Sequence, residues 1–539
     1  MFTFQKNSSA MDRGIPIFRS WVPGWAIKII LFSLILPTLV LFFLPFANIN
    51  AAAGYYGSEP ADIQFAVALF YAGYIAFYSL ERRFFNFLAA KEYFIIFTML
   101  ELLTTLVCYL TNDLYILFPI RFFQGMLFSS TVNLSLSLMF TRLHSERARE
   151  ISFSVFFGML ICILPFTNLV TADLIDSYNF NLVYKGALFS YLPCLCLIML
   201  CMNNVRLNAR FHLYKLDWQS FVFWSIMLTL LGYISIYGQE YYWLDDARIY
   251  YSVAAMIVST LIYIVRQRGL KRPYLHLGIF RFRNFKFAAF LIFILYICRF
   301  AVNITNSFFT GVLKLDPIHV SYINSCNLGG LIIGIIISGA MILQKKNIRF
   351  IWFPGFILLL AFHVIMFFLF ATEANENNFY APLFMQGIGV GMIMVPTIVY
   401  AISAVPVTIG PSATSICSTM GYVGFCVSAT IINFCELYEK SRHYNAFQDH
   451  LTKVDRFALH ALATRGTELL SKGLSLKQAS KGANKQLVGA INQQIQIRFA
   501  MDYYEMMSMM LVATLLLIAL FPYLNRTAVY LRSRRLVPA

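Results

Sequence analysis

Ionisable side chains inside long apolar runs are the places where this sequence could do chemistry. Three stand out: Glu101, Arg121 and Arg299. A charge at the centre of a bilayer-spanning helix costs about 3 kcal/mol even on lenient insertion scales, so each needs a partner or a task. Counted at about 1.5 Å per residue, Arg121 lies roughly 10 Å and Glu101 roughly 14 Å inside the same end of adjacent runs. At those depths they can form a structural ion pair, or Arg121 can modulate a proton-binding carboxyl at Glu101. Arg299 falls near the middle of another run. It can bond carbonyls or Asn303 one turn on, or stand unpaired and attract an anionic group on a ligand. The amides Asn48, Asn50, Gln124, Asn133, Asn303, Asn306, Asn327 and Gln386 are candidate ligand contacts, although interhelical bonding is the commoner task of such residues. The 8 histidines form no H-x-x-H-H or H-E-x-x-H cluster and no span carries paired acids. No catalytic residue, cofactor or metal is therefore expected, and an integral membrane enzyme is the weaker reading.

The elements that must position these groups follow from composition. At 539 residues, with 59% hydrophobic and 12% charged residues and a mean hydropathy of +0.68, the chain has too little polar surface for a soluble protein. Its first partner is a lipid bilayer. The net charge of +17 sits in short loops on one side, which points away from nucleic acid. The 10 cysteines fall in apolar runs and suggest no disulfide framework. Runs of about 20 apolar residues predict spans at 25–49, 62–80, 93–110, 114–140, 150–172 and 182–202. Two more follow at 218–237 and 247–265, then six at 287–310, 317–342, 349–370, 380–404, 412–436 and 503–524. The organisation is a terminal segment 1–24, a six-helix bundle 25–202, a two-helix insert with linkers 203–286, a second bundle 287–524 and a tail 525–539. Basic loops alternate with acidic ones, which places both termini in the cytoplasm. The polar loop 437–501 shows helical spacing at Phe447, Leu451, Val454 and Ala458 and again at Leu487, Ile491 and Ile495. It is expected to form a helical hairpin outside the membrane, interrupted at Gly466 and Gly473.

The two blocks echo each other. Gln124-Gly125 recurs as Gln386-Gly387, 262 positions on, and Gly158 recurs as Gly421, 263 positions on. A near-constant offset over two landmarks indicates a duplicated unit with an insert between the copies.

Four stretches carry a family resemblance: Arg121-Phe122-Phe123-Gln124-Gly125; the insert with Gly238-Gln239-Glu240, Arg272-Pro273-Tyr274 and Phe280-Arg281-Phe282-Arg283-Asn284; Gly387, Gly389 and Gly391 followed by Pro396, Gly410, Ala413 and Gly421; and the helical loop running through Gln493, Gln494 and Asp502 into the last span. In order and spacing they resemble the fourteen-span drug:proton antiporter branch of the major facilitator superfamily. The resemblance implies an all-α integral membrane protein of major-facilitator-type fold, with 14 transmembrane helices as 6 + 2 + 6, in a bacterial cytoplasmic (inner) membrane. It implies a secondary exporter that moves amphipathic compounds against protons by alternating access. Gly125, Gly158, Pro165, Gly387, Gly389, Gly391, Pro396 and Gly421 would be its packing and gating motif. First and fourth helices of each block line the cavity in that fold and third helices are peripheral. That puts Arg121 and Arg299 near the cavity and Glu101 away from it. The loop 437–501 would be a docking site for a periplasmic adaptor and an outer-membrane channel, or a lid.

The sequence also departs from the family. The loop after the second span, Ser79-Leu80-Glu81-Arg82-Arg83-Phe84-Phe85, keeps the basic pair without the family's Asp and Gly. The fifth span retains only Gly158 and Pro165 of its motif, and the first span, Leu41 to Asn48, has no acid. The residues lean toward lipophilic anions or neutral amphiphiles as substrates, while the resemblance implies a broad cationic multidrug exporter. A transporter-like scaffold or receptor without coupled transport is the reading from another class.

Overall fold

The computed structural model describes residues 17–85, 88–142, 148–177, 179–206, 217–270, 273–344, 346–406, 409–450 and 455–520. The tail 525–539, the terminal segment before Ile17, linker residues 207–216, the basic residues Lys271, Arg272 and Lys345, and Leu451 and Val454 of the expected hairpin lie outside them. Apart from an isolated bridge between Phe18 and Met202, regular structure in the described residues is helical. The first block contains α1 (Gly24–Phe43), α2 (Ile49–Tyr56), α3 (Pro60–Phe85), α4 (Ala90–Leu110), α5 (Leu114–Arg142), α6 (Ala148–Ser177) and α7 (Asn181–Cys201). The insert is α8 (Trp218–Tyr237) and α9 (Ala247–Gly269). The second block contains α10 (Arg283–Arg299), α11 (Val302–Gly311), α12 (Pro317–Leu343), α13 (Ile348–Leu369), α14 (Asn377–Ser403), α15 (Gly410–His450), α16 (Arg456–Ser471) and α17 (Leu476–Leu520).

Two predicted continuous spans are broken, and the breaks correspond. The first span stops at Phe43, passes through a tight turn at Leu44–Phe46 and restarts as α2. Pro45 has no N–H and cannot extend the helical ladder. Asn48 caps the new helix by accepting from the Ala51 N–H at 3.0 Å. The ninth span breaks between α10 and α11 without a proline. There the loosened carbonyls are taken up from other helices, Ile297 by the Ser428 hydroxyl at 3.3 Å and Arg299 by Gln386 at 3.4 Å, while Ala301, which keeps the Ile304 N–H, also accepts from the Tyr504 hydroxyl at 3.1 Å. A break in a buried helix persists only when such partners exist.

The duplicated glycines explain how the helices meet. A Cβ on Gly125 would lie 1.9 Å from the Phe70 carbonyl oxygen, and one on Gly387 would lie 2.3 Å from that of Asn327. Both positions hold the fourth helix of a block against its second, α5 on α3 and α14 on α12, at backbone contact. The other landmark pair works across the blocks. A Cβ on Gly158 would sit 3.3 Å from Ile335 of α12, and one on Gly421 would sit 2.8 Å from the Tyr71 hydroxyl of α3. The fifth helix of each block thus packs on the second helix of the other.

Among the described residues, thirteen helices are long and apolar enough to cross a membrane. α5, the predicted fourth span, has the length but is not among them, because Arg121, Gln124 and the run Ser129-Ser130-Thr131-Val132-Asn133 dilute its apolarity. The hairpin differs from its expected form. It is no separate element: α15 and α17 run on as single helices of 41 and 45 residues, joined by α16. Each spans roughly 60 Å at about 1.5 Å per residue, about twice a bilayer's hydrocarbon core. Gly466 lies inside α16, whereas Gly473 takes a left-handed conformation (φ +86°) in the turn that follows.

Helix α8 straddles both blocks. α8 packs on α3 and α15. Tyr237 donates to Asp62 of α3 at 2.5 Å, while Tyr422 and Thr430 of α15 donate to the carbonyls of Leu228 and Ser235, each at 2.8 Å.

Candidate functional site

A cavity of about 250 Å³ lies between the blocks at the paired helix breaks. The first break contributes Phe46, Asn48 and Asn50, the second Phe300, Asn303 and Asn306. Gln64 of α3, Asn168 and Thr171 of α6, Asn433 and Glu436 of α15 and Gln496 of α17 complete a lining rich in amides. Among the described residues lining it, Glu436 is the one carboxylate, and none is Lys or Arg. Toward the hairpin the cavity runs on into two clefts that share Glu436 and Gln496 with it. On the rim of one, burial and the neighbouring Glu59 and Asp62 carboxylates hold Glu240 above the usual carboxylate range.

The opposite side is closed by rings. Phe46, Phe300 and Phe425 meet edge to face at 5.1–6.1 Å. Behind them the Tyr71 hydroxyl donates to Tyr296 at 3.4 Å and Tyr74 meets Ser418 at 3.5 Å, both bonds joining the first block to the second. Tyr71 and Tyr74 thus pack α3 against the second block.

Neither interior arginine lines the cavity. Arg121 is fully buried under the first break. It donates to the carbonyls of Leu41 at 2.9 Å and Phe42 at 2.6 Å and to Gln124 at 3.0 Å, with its guanidinium 4.6 Å from the Phe70 ring centre. Leu41 stands four residues before Pro45, so its carbonyl is one the proline leaves without a helical donor. Arg299 repeats the arrangement across the blocks. Its Nη2 donates at 2.7 Å to the carbonyl of Ile161 on α6, four residues before Pro165. Of the two alternatives for Arg121 and Glu101, the direct ion pair is not formed. Glu101 is buried among α4, α5 and α7, accepts from Thr131 at 3.3 Å, and its second carboxyl oxygen has no partner among the described residues.

Of the amides singled out from sequence, Asn48, Asn50, Asn303 and Asn306 line the cavity. The others sit in helix interfaces. Gln124 bonds Arg121 and Cys108, Asn133 bonds Ser129, and Asn327 bonds the Leu383 carbonyl and Gln386, which reaches the second break. Gly389 and Gly391 hold α14 against α13 and α12, while Pro396 is buried within α14. Sequence reading missed Gln64, Asn168, Asn433, Glu436 and Gln496. Asn433 and Glu436, one turn apart at the end of a predicted span, were the available signal; Gln496 lay in a loop expected to stand clear of the membrane.

Two broken first helices, two fourth helices reaching those breaks, and fifth helices crossing to the opposite block describe one architecture. No family model matches the sequence. Among solved structures, a POT family transporter in complex with 5-aminolevulinic acid superposes with a TM-score of 0.57 at 12% identity, over 79% of this chain and 93% of that one. A peptide transporter POT in complex with sulfate gives 0.51 at 11% identity, over 91% and 94%. The chain has the major-facilitator fold. In sequence it is similar to the colistin resistance protein EmrB of Acinetobacter baumannii, 22% identical over 356 residues, which is 64% of this chain and 67% of that protein. Within this fold, helix α8 is bonded to α3 of the first block and to α15 of the second.

Proposed function

We propose that the chain is a multi-pass membrane transporter that exports amphipathic compounds by proton-coupled alternating access. One observation carries the reading: an amide-lined cavity lies between the halves at paired helix breaks, continuous with clefts on the hairpin side and shut by aromatic rings on the other. That is the form expected of one end-state of a rocking cycle. With α5 counted as a span, the proposed division is six, two, six, and the positive-inside rule supports a hairpin outside a bacterial inner membrane. The conformer is then outward-facing. The hairpin is the proposed docking element for a periplasmic adaptor.

The lining favours neutral amphiphiles, with lipophilic cations second because Glu436, the one carboxylate among its described residues, is already paired with Lys440 at 2.5 Å. A preference for anions rested on Arg299, whose guanidinium is engaged by a carbonyl. Glu436 and Glu101 are the carboxyls proposed to carry protons. Arg121 is assigned to supporting the first break.

The test is uptake into everted vesicles under an imposed pH gradient, comparing a neutral amphiphile, a lipophilic cation and a lipophilic carboxylate. Uptake of the first two that dissipates the gradient and is lost in Glu436→Gln supports the reading. Uptake of the carboxylate alone, dependent on Arg299, refutes the substrate class. Absence of gradient-linked uptake of any of the three leaves a binding protein or scaffold instead.

A further inference from the structure

We propose that Glu439, His443 and Asp502 form a binding site for a borderline divalent metal ion of the Zn2+ type, clasping α15 to α17 where both helices leave the apolar part of the fold. Glu439 and His443 are four residues apart, on one face of α15. Asp502 faces them from α17. His443 Nε2 lies 2.7 Å from Asp502 Oδ2 and 4.0 Å from Glu439 Oε2, and one donor atom from each residue falls within 4.8 Å of the other two. Tetrahedral coordination with bonds of about 2.0–2.2 Å sets donor atoms roughly 3.4 Å apart. The observed separations bracket that spacing, so small rotamer shifts complete a three-ligand site with a water in the fourth position. One imidazole and two carboxylates suit Zn2+ and its first-row neighbours. Ca2+ and Mg2+ take six or more oxygens.

A hydrogen bond between His443 and Asp502 accounts for one of these contacts. It does not account for a second carboxylate brought to the same ring nitrogen. Arg442 supplies the balancing charge, holding Glu439 at 2.9 Å from a side chain that is 61% exposed and free to swing aside. Arg442 therefore competes with a metal for Glu439, and its removal separates a metal site from a purely structural cluster. A cation here would fix the hairpin's root beside the cleft that shares Glu436 with the central cavity. The inference is independent of what the cavity carries.

The full chain in detergent, stripped with a chelator, is titrated with Zn2+ by calorimetry and with Co2+ by visible absorption. One Co2+ per chain with ligand-field bands is expected. Loss of even an outer partner of a metal ligand costs about 10-fold in affinity, so His443→Ala and Asp502→Asn should lose at least that. Arg442→Gln should bind more tightly than wild type. Monodisperse elution and helical circular dichroism check the fold, and Glu439→Gln replaces either variant that fails them. No Zn2+ binding by wild type, binding of equal affinity in His443→Ala or Glu439→Gln, or unchanged affinity in Arg442→Gln overturns the proposal.

Discussion

The bond from Arg299 to the Ile161 carbonyl can be tested by giving that carbonyl another donor. Arg299→Met keeps an apolar stem of similar length and removes the guanidinium. A hydrogen bond with a charged donor contributes roughly 1.5–3 kcal/mol, and stranding a buried carbonyl has a penalty of similar size. Interhelical bonds in membranes measure lower, about 0.6 kcal/mol on average and about 1.7 at most. About 1.5 kcal/mol is the working expectation for Arg299→Met alone. A Pro165→Ala background restores a backbone N–H at that position, which can return to the Ile161 carbonyl as the normal i to i−4 bond. The guanidinium then has less to do, and the cost of Arg299→Met should fall by about 1 kcal/mol, roughly a fivefold change in the unfolding constant. Reversible unfolding of wild type, both single variants and the double variant in mixed micelles gives the four corners of the cycle. Equal costs of Arg299→Met in the two backgrounds would refute the idea that Arg299 is there to serve the proline.

Other consequences follow from the same contacts. Gly125→Ala and Gly387→Ala force backbones apart and should destabilise by about 1–3 kcal/mol, whereas Gly339→Ala, with nothing within 4 Å of its Cβ, should be silent; thermal size-exclusion profiles compare them. At the foot of the insert, burial opposes ionisation of Asp217, but bonds from Ser220 and Arg266 (2.8 Å) outweigh it and hold the carboxyl below the usual aspartate range. The pair's contribution is therefore complete above the ordinary aspartate pKa of about 3.9 and is lost as pH falls through the depressed value. Asp217→Asn should remove that acid dependence from proteolysis of the linker beside α8. Asn50→Leu and Asn303→Leu, both on the cavity wall, should slow transport while leaving stability within about 0.5 kcal/mol, read by vesicle uptake and thermal unfolding of the same preparations.

Much of the fold was legible because a bilayer leaves few choices, and apolar runs become helices. The repeated Gln-Gly and the paired Gly158 and Gly421 marked the two kinds of helix contact that build the halves and join them. What was not legible depends on proximity in space. Pro45, Pro165 and Pro37 announce that the carbonyls of Leu41, Ile161 and Ser33 lack a helical donor. Nothing local says that Arg121, Arg299 and the Cys194 thiol, the last at 3.2 Å, supply it. The ninth-span break has no proline at all, and its three donors come from α14, α15 and α17. The hairpin's helical character was legible, but not that α15 and α17 run from the spans straight into it and deliver Glu436 and Gln496 to the cavity.

This changes how an intramembrane charge is weighed. The expectation that such a charge marks substrate or ion chemistry assumes that the surrounding backbone satisfies itself, as an unbroken helix does. Where a proline or a break strands carbonyls in a dry interior, a guanidinium meets them with several donors in a fixed fork and cannot lose its proton. It then belongs to the scaffold. Arg121 and Gln386 make the case together, since each comes from the fourth helix of its half and each reaches a break in that half's first helix, one charged and one neutral. The shared task is the break, and the breaks are what bring Asn48, Asn50, Asn303 and Asn306 to the cavity wall. On the proposed reading, functional weight passes from the two arginines to the amides that the breaks expose, and to Glu436 at their rim.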